Sequence, residues 1–153
     1  MEYAALDSLP YYGECNELVS AMGYALVDLK LVQSRGNTHV AAVITSTNAG
    51  VFIGTDDTAK VTRVLLQRLQ ALTGNQDMSM EVTSPGVERV IKNAAEFALF
   101  VQRRCKVWDK TLSDWVGGKI VSASGKSVIL EKEKTDERVE YSFEQIAKAK
   151  LTV

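Results

Sequence analysis

Apolar and polar positions change rhythm twice along this chain. Tyr12, Cys15, Leu18, Val19 and Met22 recur at helical spacing. Asp7 or Ser8 is placed to cap that helix, Pro10 suits its first turn, and Gly23 supplies a left-handed residue after its end. Gly13 weakens the turn it sits in. Alternation then takes over: Val27, Leu29 and Leu31 point one way, Asp28 and Lys30 the other, as in a half-buried strand. Ser34-Arg35-Gly36-Asn37 reads as a hairpin loop, and Thr38 to Thr45 as the returning strand. An irregular stretch holding Gly50 and Gly54 follows. Thr55 caps a second helix, and Asp56 and Asp57 favour its positive end. Val61, Val64, Leu65, Leu69 and Leu72 form its buried stripe, and Gly74-Asn75 ends it. Met78 to Thr83 is a third strand, with Met80 and Val82 alternating against Glu81 and Thr83.

The first half is therefore helix, strand, strand, helix, strand, with two helices on one face of a small sheet. That order is similar to some KH-type RNA modules, but the Gly-x-x-Gly loop by which they clamp a nucleic-acid backbone is missing. In the second half, Ala94 to Val101 reads as a short helical link anchored by Phe97 and Phe100. Short strands follow at 104–108, 116–123, 127–132, 138–142 and 149–153, separated by turn residues. Five short strands so close together predict a small barrel, which closes its own edges. Gly117-Gly118 predicts a bulge or sharp bend. The expected division is an α+β domain at 1–91 and a small SH3-like or Sm-like β-barrel at 92–153.

Apolar residues make up 46% of the chain and charged ones 24%, which excludes general disorder. No apolar run nears the ~20 residues that span a bilayer, so no membrane role is expected. Met1-Glu2-Tyr3 lacks the basic start of a signal peptide. Cys15 and Cys105 share no CxxC spacing and read as buried, reduced thiols of a cytoplasmic protein. The net charge of −1 conceals an asymmetry: 6 Lys/Arg against 10 Asp/Glu in residues 1–91, and 12 against 9 in residues 92–153. A basic half suits phosphate, and an acidic half suits a basic protein.

Catalytic chemistry finds little support. His39, the only histidine, reads as a strand residue, because a zinc site needs several ligands at set spacings. Asp56 and Asp57 are explained by the helix dipole, and adjacent helix residues do not face one another. Gly117-Gly118-Lys119 lacks the rest of a phosphate-binding loop. No nucleophile has a visible base and orienting partner. The expectation is no enzyme, no cofactor and no metal. The basic residues Arg103, Arg104, Lys106 and Lys119, with Lys126, Lys148 and Lys150, are the candidate contacts to a nucleic-acid phosphate backbone. Trp108 and Trp115 flank the first turn of the second half, where they offer either a stacking face or hairpin packing.

The most distinctive stretch is Glu81-Val82-Thr83-Ser84-Pro85-Gly86-Val87-Glu88-Arg89. Pro85 fixes φ and Gly86 permits φ > 0, so a strand runs into a tight corner and then presents an arginine. Ser84, Pro85, Gly86 and Arg89 are candidate turn and binding residues; the corner would aim Arg89 at phosphate or at the barrel. This stretch resembles the Glu-Val-Ser-Ser-Pro-Gly-x-x-Arg signature of the ribosome maturation factor RimP family. Gly23-Tyr24-Ala25-Leu26-Val27-Asp28 supports the resemblance, as do Asp56-Asp57 with Arg63, Phe97 and Phe100, and the closing 143–151. Departures are Val90-Ile91 for the usual Pro-Leu, Thr45 for an Asp, Thr58 and Thr62 for a Cys and a Ser, and Gln102 for a common Gly.

The resemblance implies a non-enzymatic, cytoplasmic assembly factor. It would act as a monomer and bind the free small ribosomal subunit late in maturation near the decoding region. Its partners there are ribosomal RNA and a basic ribosomal protein. Two rivals are a general RNA-binding regulator with an Sm-like barrel and a module that grips peptides in an aromatic groove. The barrel's few aromatics weigh against the last.

Overall fold

The structure, a computed structural model, describes residues 1–48 and 51–153. Gly50 of the expected irregular stretch lies outside the described residues. The protein has an α+β fold and divides into two compact units, Leu6–Pro85 and Met1–Ala5 with Gly86–Val153. The division thus falls after Pro85 rather than after residue 91, and the first five residues join the C-terminal body.

The first unit opens with a 3-10 turn, Leu6–Ser8, before helix α1, Tyr12–Ala21. Asp7 and Ser8, the expected caps, lie inside that turn, where Leu9 N–H bonds to Leu6 O. The residue before α1 is instead Tyr11, at φ 62°. Tyr12, Cys15 and Val19 are its buried face. Tyr12 and Asn16, one turn apart, serve both main-chain groups of Leu26. The Tyr12 hydroxyl donates to Leu26 O at 2.6 Å, and Asn16 Oδ1 accepts Leu26 N–H at 3.0 Å. Gly23 is left-handed at φ 93°, which lets the chain leave the helix directly into β1.

Strands β1 (Tyr24–Ser34) and β2 (Asn37–Ser46) are antiparallel, joined by Arg35 and Gly36. Both joining residues have positive φ, 51° and 82°, as a two-residue primed turn requires. Helix α2 (Thr55–Thr73) crosses over to β3 (Met78–Thr83), which pairs parallel to β2. Gly54, not Thr55, is the N-cap residue of α2. Asp57 reaches back to accept Gly54 N–H at 2.8 Å and also accepts the Tyr24 hydroxyl. Val61, Leu65 and Leu69, at i, i+4 and i+8, pack with Val40, Ala42 and Ile44 of β2 in one core.

In the second unit, β4 is Val90–Ile91, β5 Arg104–Asp109, β6 Asp114–Ala123, β7 Ser127–Glu131, β8 Arg138–Ser142 and β9 Ile146–Leu151. The sheet order is β4-β9-β5-β6-β7-β8, with antiparallel neighbours throughout. The link Ala94–Phe100 is 3-10 rather than α-helical. Phe97 and Phe100 are wholly buried beneath the sheet. The bulge expected at Gly117-Gly118 lies farther on: both glycines pair regularly with β5, and the register shifts between Ile120 and Ser122. Gly118 is needed for another reason. A Cβ there would sit 2.8 Å from Glu131 O.

Residues 1–5 form a strap on this unit. Asn93 accepts Ala4 N–H at 3.0 Å and donates to Ala4 O at 2.7 Å, while Ala94 N–H donates to Glu2 O. The Tyr3 ring stacks on Phe143, which stacks in turn on Phe97. The Met1 ammonium donates to Phe143 O and Ile146 O at 2.7 and 2.6 Å.

Candidate functional site

The expected tight turn at Ser84-Pro85-Gly86 is an irregular segment, the chain bends at Val87 and Glu88, and the arginine that follows faces inward. Ser84 is exposed and Gly86 is left-handed at φ 72°. Arg89 Nε donates to Glu96 Oε1 at 2.8 Å, with the two side chains only 10% and 2% exposed. Glu96 Oε2 also accepts Asn93 N–H, which fixes the start of the 3-10 segment. Arg89 Nη2 is buried without a hydrogen-bond partner. Of the two destinations expected for Arg89, the geometry gives the body of the C-terminal unit and offers no solvent-facing guanidinium for phosphate.

Arg103 is also held within its own unit. Its guanidinium donates to Gly86 O at 3.4 Å and lies over the Phe100 ring, and burial lowers its pKa from the ordinary value. Lys126 sits apart, in the turn between β6 and β7. There it lines a cavity of about 500 Å³ with Tyr3, Phe143 and Glu144.

The other five basic candidates come together on one face. Cys105, Val107 and Asp109 of β5 are buried, so Arg104, Lys106 and Trp108 lie on the opposite side. Across the ladder to β6, Arg104 pairs with Lys119, Lys106 with Gly117, and Trp108 with Trp115. Towards β9, Lys106 pairs with Lys150. The two indoles meet edge to face, with centroids 5.6 Å apart and planes at 88°. Lys106 Nζ sits 4.7 Å from the Trp115 centroid, and Lys148 Nζ 5.3 Å from both. Such cation–π contacts at an exposed site contribute about 0.5–1 kcal/mol each. Arg104 makes a long, exposed ion pair with Glu133 at 3.8 Å, which contributes little. Among the described residues, Lys106, Lys119, Lys148 and Lys150 make no ion pair.

Beneath the face, Asp109 holds the turn that carries both indoles. Its Oδ1 accepts Thr111 N–H at 2.9 Å and Gln145 Nε2 at 3.1 Å. Burial opposes ionisation of Asp109, but these bonds outweigh it and keep the carboxyl below its ordinary range. Sequence reasoning passed over Asp109 and Gln145, and read Gly117 only as part of a bend. Only Asp109 carried a signal, an acidic residue two positions before an N–H it can accept at a turn.

His39 is exposed on β2, its Nδ1 hydrogen-bonded to Ser79 Oγ. Among the described residues no group of three or more His, Cys, Asp or Glu could hold a metal, and no helix is long and apolar enough to cross a membrane. Both thiols are buried and free. Burial pushes Cys15 to about 11 and Cys105 to about 12, which leaves almost no thiolate at neutral pH.

Residues 14–88 match the RimP N-terminal domain. Two proteins named Ribosome maturation factor RimP align with nearly the whole chain. That of Borrelia hermsii (strain HS1 / DAH) is 25% identical over 147 residues, 96% of this chain and 97% of the relative. That of Borrelia turicatae (strain 91E135) is 23% identical over the same shares. The domain match within the first half of the chain, with alignments that run on through the second, supports the RimP family for this chain.

Proposed function

We propose that this protein is a ribosome maturation factor that binds the free small ribosomal subunit late in its assembly, near the decoding region, and acts by binding rather than catalysis. The observation that carries the reading is the end-to-end alignment with two proteins named for ribosome maturation. Charge supports a division of labour. Unit Leu6–Pro85 has 5 Lys/Arg against 8 Asp/Glu, which suits a basic ribosomal protein. The other unit has 13 against 11, with cations gathered on the β5–β6–β9 face, which suits ribosomal RNA.

The six-stranded sheet acts in this reading as an SH3-like barrel. Its strands bury one apolar face, with Val107, Ile120, Leu130 and Ile146 wholly covered. A sheet with that face and no α-helical layer buries it by curling, and register shifts in β6 and β9 supply bends. The protein works as a cytoplasmic monomer without a cofactor.

Sedimentation of cell extract through a gradient tests the proposal. Co-migration with free small subunits, and absence from joined ribosomes, is the expected result. The lysine and tryptophan face keeps one second reading in play, a general RNA-binding regulator. That protein would bind isolated RNA and show no preference for small subunits.

A further inference from the structure

We infer that the Trp108–Trp115 pair is a stacking subsite for an unpaired RNA nucleotide, with Lys106, Lys148 and Lys150 receiving its flanking phosphates. The subsite takes the RNA of the small subunit and in that respect rests on the assembly-factor reading.

Three observations point to a ligand rather than to the hairpin alone. A cross-strand aromatic pair stabilises a hairpin by itself, and that accounts for the two indoles. It does not account for Gly117, which lies opposite Lys106 and two residues from Trp115 on the same side of β6. Its φ is not positive, and a Cβ there would meet nothing closer than Cys105 O at 3.8 Å. Neither backbone nor packing requires glycine, yet the strand leaves a bare patch between an indole and Lys119. A glycine inside a strand marks a place where a ligand can approach closely.

The lysines are the second observation. Lys106 and Lys148 rest on the indole faces and make no ion pair among the described residues. A lysine over a partly exposed indole is worth about two- to fivefold in an equilibrium constant. A base stacked on an aromatic ring is worth about five- to 150-fold. An incoming base therefore displaces the ammonium groups, which lie within reach of its phosphates. The third observation is the sign of the neighbours. Lys150 extends the cationic surface towards β9, whereas Arg104 is paired with Glu133 and Lys119 lies opposite Glu131, so an anionic strand is favoured on the side of Lys106, Lys148 and Lys150.

The chain has only two tryptophans, and both are in the subsite. Their emission reports on it directly. Purified full-length protein is titrated with a short single-stranded RNA and with an RNA duplex of equal length. The expected result is quenching by the single strand, weaker with rising salt, and little by the duplex. Gly117→Thr, whose Cβ would meet no atom closer than 3.8 Å, is expected to bind the single strand about tenfold more weakly with an unchanged melting temperature. Lys106→Gln with Lys148→Gln is expected to flatten the salt dependence. Equal quenching by the duplex, quenching by an acidic peptide but not by RNA, or wild-type binding by Gly117→Thr would overturn the inference. Should the wild type co-sediment with small subunits while single strands leave its emission unchanged, the subsite is wrong and the assembly reading stands. Should single strands quench it while it ignores subunits, the assembly reading fails and the subsite stands.

Discussion

Arg89 and Glu96 form a buried charge pair, and this decides what either residue can report. Removing one member leaves the other charged and without its partner in the interior, at a cost of roughly 3–5 kcal/mol. That is a large share of the roughly 5–15 kcal/mol that holds a domain together. Arg89→Ala is expected to lower the urea midpoint of the C-terminal unit sharply, with Glu96→Ala doing the same. An unchanged midpoint would show that the pair supports nothing. Loss of RNA binding in Arg89→Ala would therefore reflect unfolding. The sequence marked Arg89 as special, but its partner was illegible. Glu96 sits between Ala95 and Phe97 in an apolar stretch, and nothing local says that a carboxylate there turns inward. The indole pair was legible only as two aromatics beside a turn. Their contact depends on a register that pairs Trp108 with Trp115, and composition does not encode register.

At the scale of elements, the start of α2 gives a pH prediction with a definite sign. The Tyr24 hydroxyl, and then Gly54 N–H, hold the Asp57 carboxyl below its ordinary value. A carboxyl with a lowered pKa in the folded state contributes stability above its unfolded pKa, and loses it as pH falls through the folded one. Asp57→Asn is thus expected to melt below the wild type at pH 7, with the gap closing below about pH 4. A gap that stays constant from pH 7 to pH 3 would refute the role. Much at this scale was legible. The Arg35-Gly36 turn and the Val61, Leu65, Leu69 stripe follow directly from local rules. The misses are also local. A 3-10 turn at Leu6–Ser8 takes up the intended caps of α1, and β4 is two residues long, too short for alternation to show. Gln102 is left-handed at φ 75°, a conformation that glycine would adopt at less cost.

At the scale of the molecule, residues 1–5 belong with residues 86–153. Tyr3→Ala is expected to weaken that unit by about 1–3 kcal/mol, through the lost stacking and exposed Phe143. The unit Leu6–Pro85 should be unaffected. Two resolved unfolding steps, only one of which shifts, would be the signature by denaturant titration. Nothing in Met1–Ala5 announces this attachment, because five residues carry no period and the partners Asn93 and Phe143 lie far along the chain.

That strap also sets an order of events during synthesis. Leu6–Pro85 has all of its core in hand once Pro85 has cleared the ribosome, and can settle while translation continues. The opening pentapeptide has nothing to grip until Asn93 and then Phe143 appear, a delay on the order of ten seconds at ordinary elongation rates. Residues made before Leu6–Pro85 are thus among the last to find their place.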